Sequence, residues 1–214
     1  MKHRGVWVAC AIALSILAPQ TADACGRIRR VRRDRPQVDH KLAAVKQAEQ
    51  QLAKGNHKAA VKVARRRFRG FQAATGEADH GKALFNRAQR AIALATVRSD
   101  GALDLGKGMR GRTSDSKALN LAWATSVLEI QAASDPDNLV LRTNYAEALT
   151  HHPGGEAQAL EMLSEMANDD LMPTARGFVL LATVQQNLGD ASGSDLSLQR
   201  CKALGATTDV CRVA

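Results

Sequence analysis

An all-α fold is what this sequence predicts, on three observations. Alanine and leucine dominate its apolar residues while the chain holds a single Tyr and two Trp, a balance that suits close-packed helices better than β-sheet. No run of alternating β-branched residues stands between turn signals. The spacing Ala-x6-Gly occurs three times, at Ala48 to Gly55, Ala148 to Gly155 and Ala182 to Gly189, and the last two glycines lie 34 residues apart. A period of ~34 residues is the length of one two-helix unit in a stacked helical repeat, where each pair leaves an apolar face that only the next pair covers.

In chain order, Lys2, His3 and Arg4 precede an apolar run from Val6 to Leu17, followed by Pro19 and the triplet Ala22-Asp23-Ala24. This pattern predicts a cleaved secretory signal over residues 1–24, with an uncleaved anchor as the competing reading. The run is shorter than the ~20 residues that span a bilayer, and no later segment is apolar for long enough. Cleavage after Ala24 exposes Cys25, which raises lipidation as an alternative to ordinary export. Asp23 and Ala22 depart from the residues a lipoprotein motif wants at those places. Residues 25–37 then carry Arg27, Arg29, Arg30, Arg32, Arg33 and Arg35, with only Ile28 and Val31 to bury, and read as a disordered basic arm.

The helical domain is expected over 38–204. A first helix over 38–54 places Leu42, Val45, Ala48 and Leu52 on one face, and Gly55-Asn56 ends it. A second helix over 57–68 turns Ala60, Val61 and Ala64 inward. After a loop around 70–76, a long third helix runs over 78–98 through Leu84, Ala88, Ala91, Ile92 and Ala95. The four glycines between Gly101 and Ser114 break it and read as a flexible connection. Ser114 or Ser116 is the expected cap of a fourth helix that reaches Ser134, where Asp135-Pro136-Asp137-Asn138 stops it. Helices five to eight are expected over 139–150, 155–168, 174–188 and 191–204, and residues 205–214 form a tail.

At Ala48, Gly55-Asn56 and Ala60, and again at Ala182, Gly189-Asp190, Ser194 and Cys201, the chain resembles the tetratricopeptide repeat family. In that family small residues at the helix crossing flank a turn made by glycine and Asp or Asn. Asp135-Pro136 looks like the family's punctuation between repeats. The resemblance implies a right-handed superhelical stack of about four antiparallel helix pairs, a TPR-like α-solenoid, with a groove that takes a protein or peptide partner. The second pair departs from the pattern, lacking Ala-x6-Gly and carrying the glycine-rich insertion, and the register of the third pair is displaced around Pro153.

Chemistry-bearing motifs are sparse. Gly101 to Lys107 has the G-x4-G-K spacing of a phosphate loop, but Gly108 stands where a Ser or Thr must reach Mg²⁺, and a helix precedes it where a buried strand is needed. His151 and His152 are adjacent, so on a helix they diverge by ~100° and form no chelating pair. His40, His57 and His80 fall in separate elements and read as solvent-facing helix-end residues. Neither a nucleophile with its base nor a zinc spacing is visible, so the reading is of a non-catalytic protein without a cofactor. Cys201 and Cys211 could close a short disulfide loop through Gly205, worth up to ~3 kcal/mol, or remain a buried small residue and an exposed thiol.

The formal charge of +9 favours anionic partners. Besides the arm, basic clusters occur at Arg65, Arg66, Arg67 and Arg69 and at Lys107, Arg110 and Arg112; a solvated surface is the bland alternative. With so few aromatics to stack on bases, sequence-specific nucleic-acid binding is disfavoured. Two functions follow as expectations. One is an exported, periplasmic or secreted scaffold that binds protein in its groove. The other is a cell-envelope tether whose arginine arm, with or without lipid on Cys25, holds an anionic polymer or lipid headgroups.

Overall fold

The computed structural model describes residues 39–71, 83–106, 109–207 and 210–213. The expected signal, Cys25 and all six arginines of the arm lie outside these residues, as does the expected start of the third helix. Among the described residues there are eight α-helices and no strand: α1 (His40–Ala53), α2 (His57–Arg67), α3 (Ala83–Val97), α4 (Ser114–Ser134), α5 (Leu139–Leu149), α6 (Glu156–Asn168), α7 (Ala175–Asn187) and α8 (Ala191–Ala203). The all-α expectation holds for them.

Helix starts follow side-chain chemistry. Asp39 accepts from the Lys41 and Leu42 amides at 2.9 and 3.1 Å to open α1, Asn138 accepts from Leu141 at 3.3 Å to open α5, and Asp190 accepts from Gly193 at 2.8 Å to open α8. The cap of α4 is Thr113, one residue before Ser114 and three before Ser116, the expected caps. Its hydroxyl accepts from the Ser116 amide at 3.2 Å while Ser116 Oγ accepts from the Thr113 amide at 3.0 Å, a reciprocal box in which Ser116 serves as the second partner.

The first and last pairs turn in the same way. Gly55 and Gly189 take the left-handed conformation, and the next residue donates back over five positions, Asn56 to the Gln51 carbonyl and Asp190 to the Gln185 carbonyl. Ala48, Ala60, Ala182, Ser194 and Cys201 are all buried at these crossings, where small side chains let the backbones approach. The third pair departs. Its left-handed residue is Gly154, and Gly155 is needed for space, since a Cβ there would sit 2.3 Å from the Leu149 carbonyl oxygen.

Each helix packs on the next, and in addition α1 touches α3 and α3 touches α5. Buried residues of α1 to α4, with Ala148 of α5, form one apolar cluster and other buried residues of α5 to α8 form another, with Tyr145 packed against both. The longest described helix is α4, at 21 residues, and α3 is described over 15.

The α3–α4 connection is packed, unlike the flexible link expected from its glycines. Leu103 and Leu105 are buried in the first cluster, and Asn120 of α4 donates to the Gly101 and Leu103 carbonyls at 2.8 and 2.9 Å. Gly111, at φ 62°, folds back so closely that a Cβ would lie 2.6 Å from the backbone of Gly101, Ala102 and Leu103. Cys201 and Cys211 are joined by a disulfide with Cα atoms 5.8 Å apart, which ties the tail to α8.

Candidate functional site

Odd-numbered helices contribute most of the charged network. In α1 and α3, Arg87 donates through Nε and Nη2 to the Glu49 carboxylate at 3.0 and 2.7 Å. Just past α3, Arg98 donates through Nε and Nη2 to Glu147 of α5 at 2.8 and 2.9 Å, and Arg176 of α7 donates to the same carboxylate from the other side. The side chain of Glu147 is only 6 % exposed, that of Arg98 16 % and that of Arg176 57 %. One acid is thus gripped by the two-pronged fork of Arg98 and by a single donor of Arg176, which reach it from the end of α3 and from α7.

Burial by itself drives the Glu147 carboxyl upward in pKa. The hydrogen bonds and positive charge of Arg98 and Arg176 more than reverse this and hold it at about 2, ionised at any physiological pH. His57, at the start of α2, is pushed below its ordinary 6.5 by burial and by repulsion from Arg98 and Arg176, with Glu147 opposing. His57 is half-buried, contrary to the solvent-facing placement expected for it.

Around this network lies a recess of about 570 Å³, lined by Leu52, Ala53, Gly55, His57, Arg98, Glu147, His151 and Arg176. A second recess of about 400 Å³ shares Glu147, His151 and Arg176 and continues past Thr150, Val179, Leu180 and Thr183 to Val210 and Arg212 of the tail. His151 lies with Nδ1 3.7 Å from Asp100 Oδ1. His57 and His151, from separate elements, thus both line the first recess, while His40 and His152 line neither and His80 lies outside the described residues. Among the described residues no group of three or more His, Cys, Asp or Glu is arranged to hold a metal.

The basic clusters also meet. Lys58, Lys62, Arg65 and Arg66 recur on one face of α2, and Arg110 and Arg112 of the α3–α4 connection stand opposite, around a cleft of about 650 Å³. Arg65 donates through Nη1 to the Asp104 carbonyl at 2.6 Å and lies 5.8 Å from the centre of the Phe71 ring, which fastens α2 to the connection. Arg67 and Arg69 are exposed and do not line the cleft, and Lys107 lies outside the described residues.

Of the residues expected from sequence to form a disulfide, carry lipid or bind an anionic surface through the arm, only Cys201 and Cys211 fall among those described, and they bear on the site by holding Val210 and Arg212 at its edge. Cys25 and Arg27, Arg29, Arg30, Arg32, Arg33 and Arg35 do not. Sequence reasoning missed Arg98, Glu147 and Arg176. They are 49 and 29 residues apart, and the one hint is that Glu147 immediately precedes the small residue of the second Ala-x6-Gly copy. No family model matches the chain, and no curated protein and no solved structure is similar to it. No described helix is long and apolar enough to cross a membrane.

Proposed function

We propose that the chain is an exported, non-catalytic scaffold built of tetratricopeptide-like helix pairs, a right-handed α-solenoid, whose recess around Glu147 receives a peptide segment or helix of a partner protein. The observation that carries this reading is the convergence of α1, α2, α5, α7, Arg98 after α3 and the C-terminal tail on two recesses that share Glu147, His151 and Arg176. The neighbour-to-neighbour packing of the helices and the matching turns at Gly55 and Gly189 support the repeat architecture. The recess mixes apolar Val179 and Leu180 with the exposed part of Arg176 and the two histidines, which suits a peptide that offers both an apolar side chain and backbone carbonyls. A carboxylate held at about 2 and clamped by two guanidiniums is poorly matched to acid–base work near neutrality, which favours binding over catalysis.

The test is crosslinking in the native host with the wild-type chain and with Thr183→Arg/Val210→Asp, which fills the recess and charges its edge. Capture of a defined protein by the wild type and its loss in a variant that keeps its helical circular dichroism is the expected result. Equal capture by both overturns the reading.

A second reading, an envelope tether working through the arginine arm, draws support from the net charge of +9 and from Arg67 and Arg69, which are exposed and form no ion pair among the described residues.

A further inference from the structure

The cleft between α2 and the α3–α4 connection is separate from the Glu147 recess and shares none of its lining residues. Six cations surround it: Lys58, Lys62, Arg65, Arg66, Arg110 and Arg112. None of them forms a salt bridge among the described residues. Among the described residues the one acid in the lining is Asp104, whose Oδ1 accepts from the Gly106 amide at 2.9 Å. Like charges around one cleft repel one another, and Asp104 supplies a single negative charge against six positive ones. The connection that brings the two clusters together is anchored by the buried Leu103 and Leu105 and by the two hydrogen bonds from Asn120, so the arrangement is fixed before any ligand arrives.

We infer that this cleft is a docking site for an acidic peptide segment of a partner protein, in which carboxylates flank an apolar side chain. Two features select a peptide over a purely ionic polymer. First, the floor is apolar: Val61 and Leu103 lie beneath the cations with Ala102 exposed beside them, so a side chain between the acids finds an apolar seat. Secondly, the length fits. Lys58 to Arg66 spans ~12 Å of helix at 1.5 Å per residue, which an extended peptide covers in about four residues at ~3.3 Å each. Arg65, already fastened to the Asp104 carbonyl, positions the loop, leaving Lys62, Arg66, Arg110 and Arg112 to meet carboxylates from both walls. The inference extends the scaffold reading with a second contact surface and stands without the first.

The experiment is fluorescence anisotropy with the full chain and a labelled Glu-Glu-Leu-Glu-Glu peptide, alongside a Glu-Glu-Ser-Glu-Glu peptide and phosphatidylglycerol vesicles as competitor. Wild-type protein should bind the leucine peptide about tenfold more tightly than the serine peptide, and binding should weaken as salt rises. Lys62→Glu/Arg66→Glu, both on exposed positions, should lower affinity at least about tenfold, and Lys62→Arg/Arg66→Lys should restore it. Thr183→Arg/Val210→Asp should leave this binding unchanged, which separates it from the Glu147 recess. Equal binding by wild type and the charge-reversal variant overturns the assignment, as does vesicle binding without peptide binding, which would make a lipid surface the occupant.

Discussion

Glu147 is the residue on which most of the electrostatics converge. Its folded pKa of about 2 lies below the ordinary 4.5, so between these values the unfolded chain binds more protons than the folded one and stability rises with pH. The contribution is complete above about pH 4.5 and is lost as pH falls towards 2. His57 works in the same direction: its pKa is depressed from 6.5, so the first loss of stability on acidification begins below that value. Glu147→Gln should therefore cost about 3 kcal/mol at neutral pH, by leaving Arg98 without its counter-charge, and should flatten the urea-midpoint profile below pH 4.5. Parallel profiles for variant and wild type would exclude this account. None of this was legible in the sequence, because a glutamate in a helix reads as solvated until the arginines from two other elements are seen to reach it.

Among the elements, the α3–α4 connection carries the sharpest mechanical constraint. Gly111 needs both the left-handed conformation and the absence of a Cβ, whereas Gly55 needs only the conformation, with nothing within 4 Å of where a Cβ would lie. Strain alone costs ~1–2 kcal/mol. Gly55→Ala should fall in that range, and Gly111→Ala should exceed it and also weaken acidic-peptide binding, since the walls of the basic cleft shift with the loop; chemical denaturation of the two variants makes the comparison. A smaller loss for Gly111→Ala than for Gly55→Ala would show that the loop yields easily. Helices themselves were legible, all eight within a few residues where described, because Ala and Leu spacing and the Gly-Asn and Gly-Asp turns are local signals. The fixed state of the connection was not, because glycines that permit mobility and glycines that permit close approach look alike in one dimension.

For the molecule as a whole, the arm and the helical domain pose separate questions. If the arginines hold the chain to an anionic envelope surface, deleting residues 26–35 should release it, and retention of the intact chain should fall steeply between low and high salt. Unchanged retention after the deletion would end the tether reading. If the recess is the working surface instead, the same deletion should leave partner crosslinking intact. Contact between the helices that flank each Ala-x6-Gly copy was legible in that spacing. The site was not, since Arg98, Glu147 and Arg176 meet only through the relative placement of α3, α5 and α7, which depends on side-chain packing summed over both apolar clusters.

The bond between Cys201 and Cys211 does more than restrain a terminus. By buckling the tail against α8 it sets Val210 and Arg212 as one bank of the channel that runs towards Glu147. A strong reductant would unfasten that bank without touching the helices, so the channel as drawn belongs to the oxidised molecule, and its reach for a ligand is tied to the redox conditions in which the chain resides.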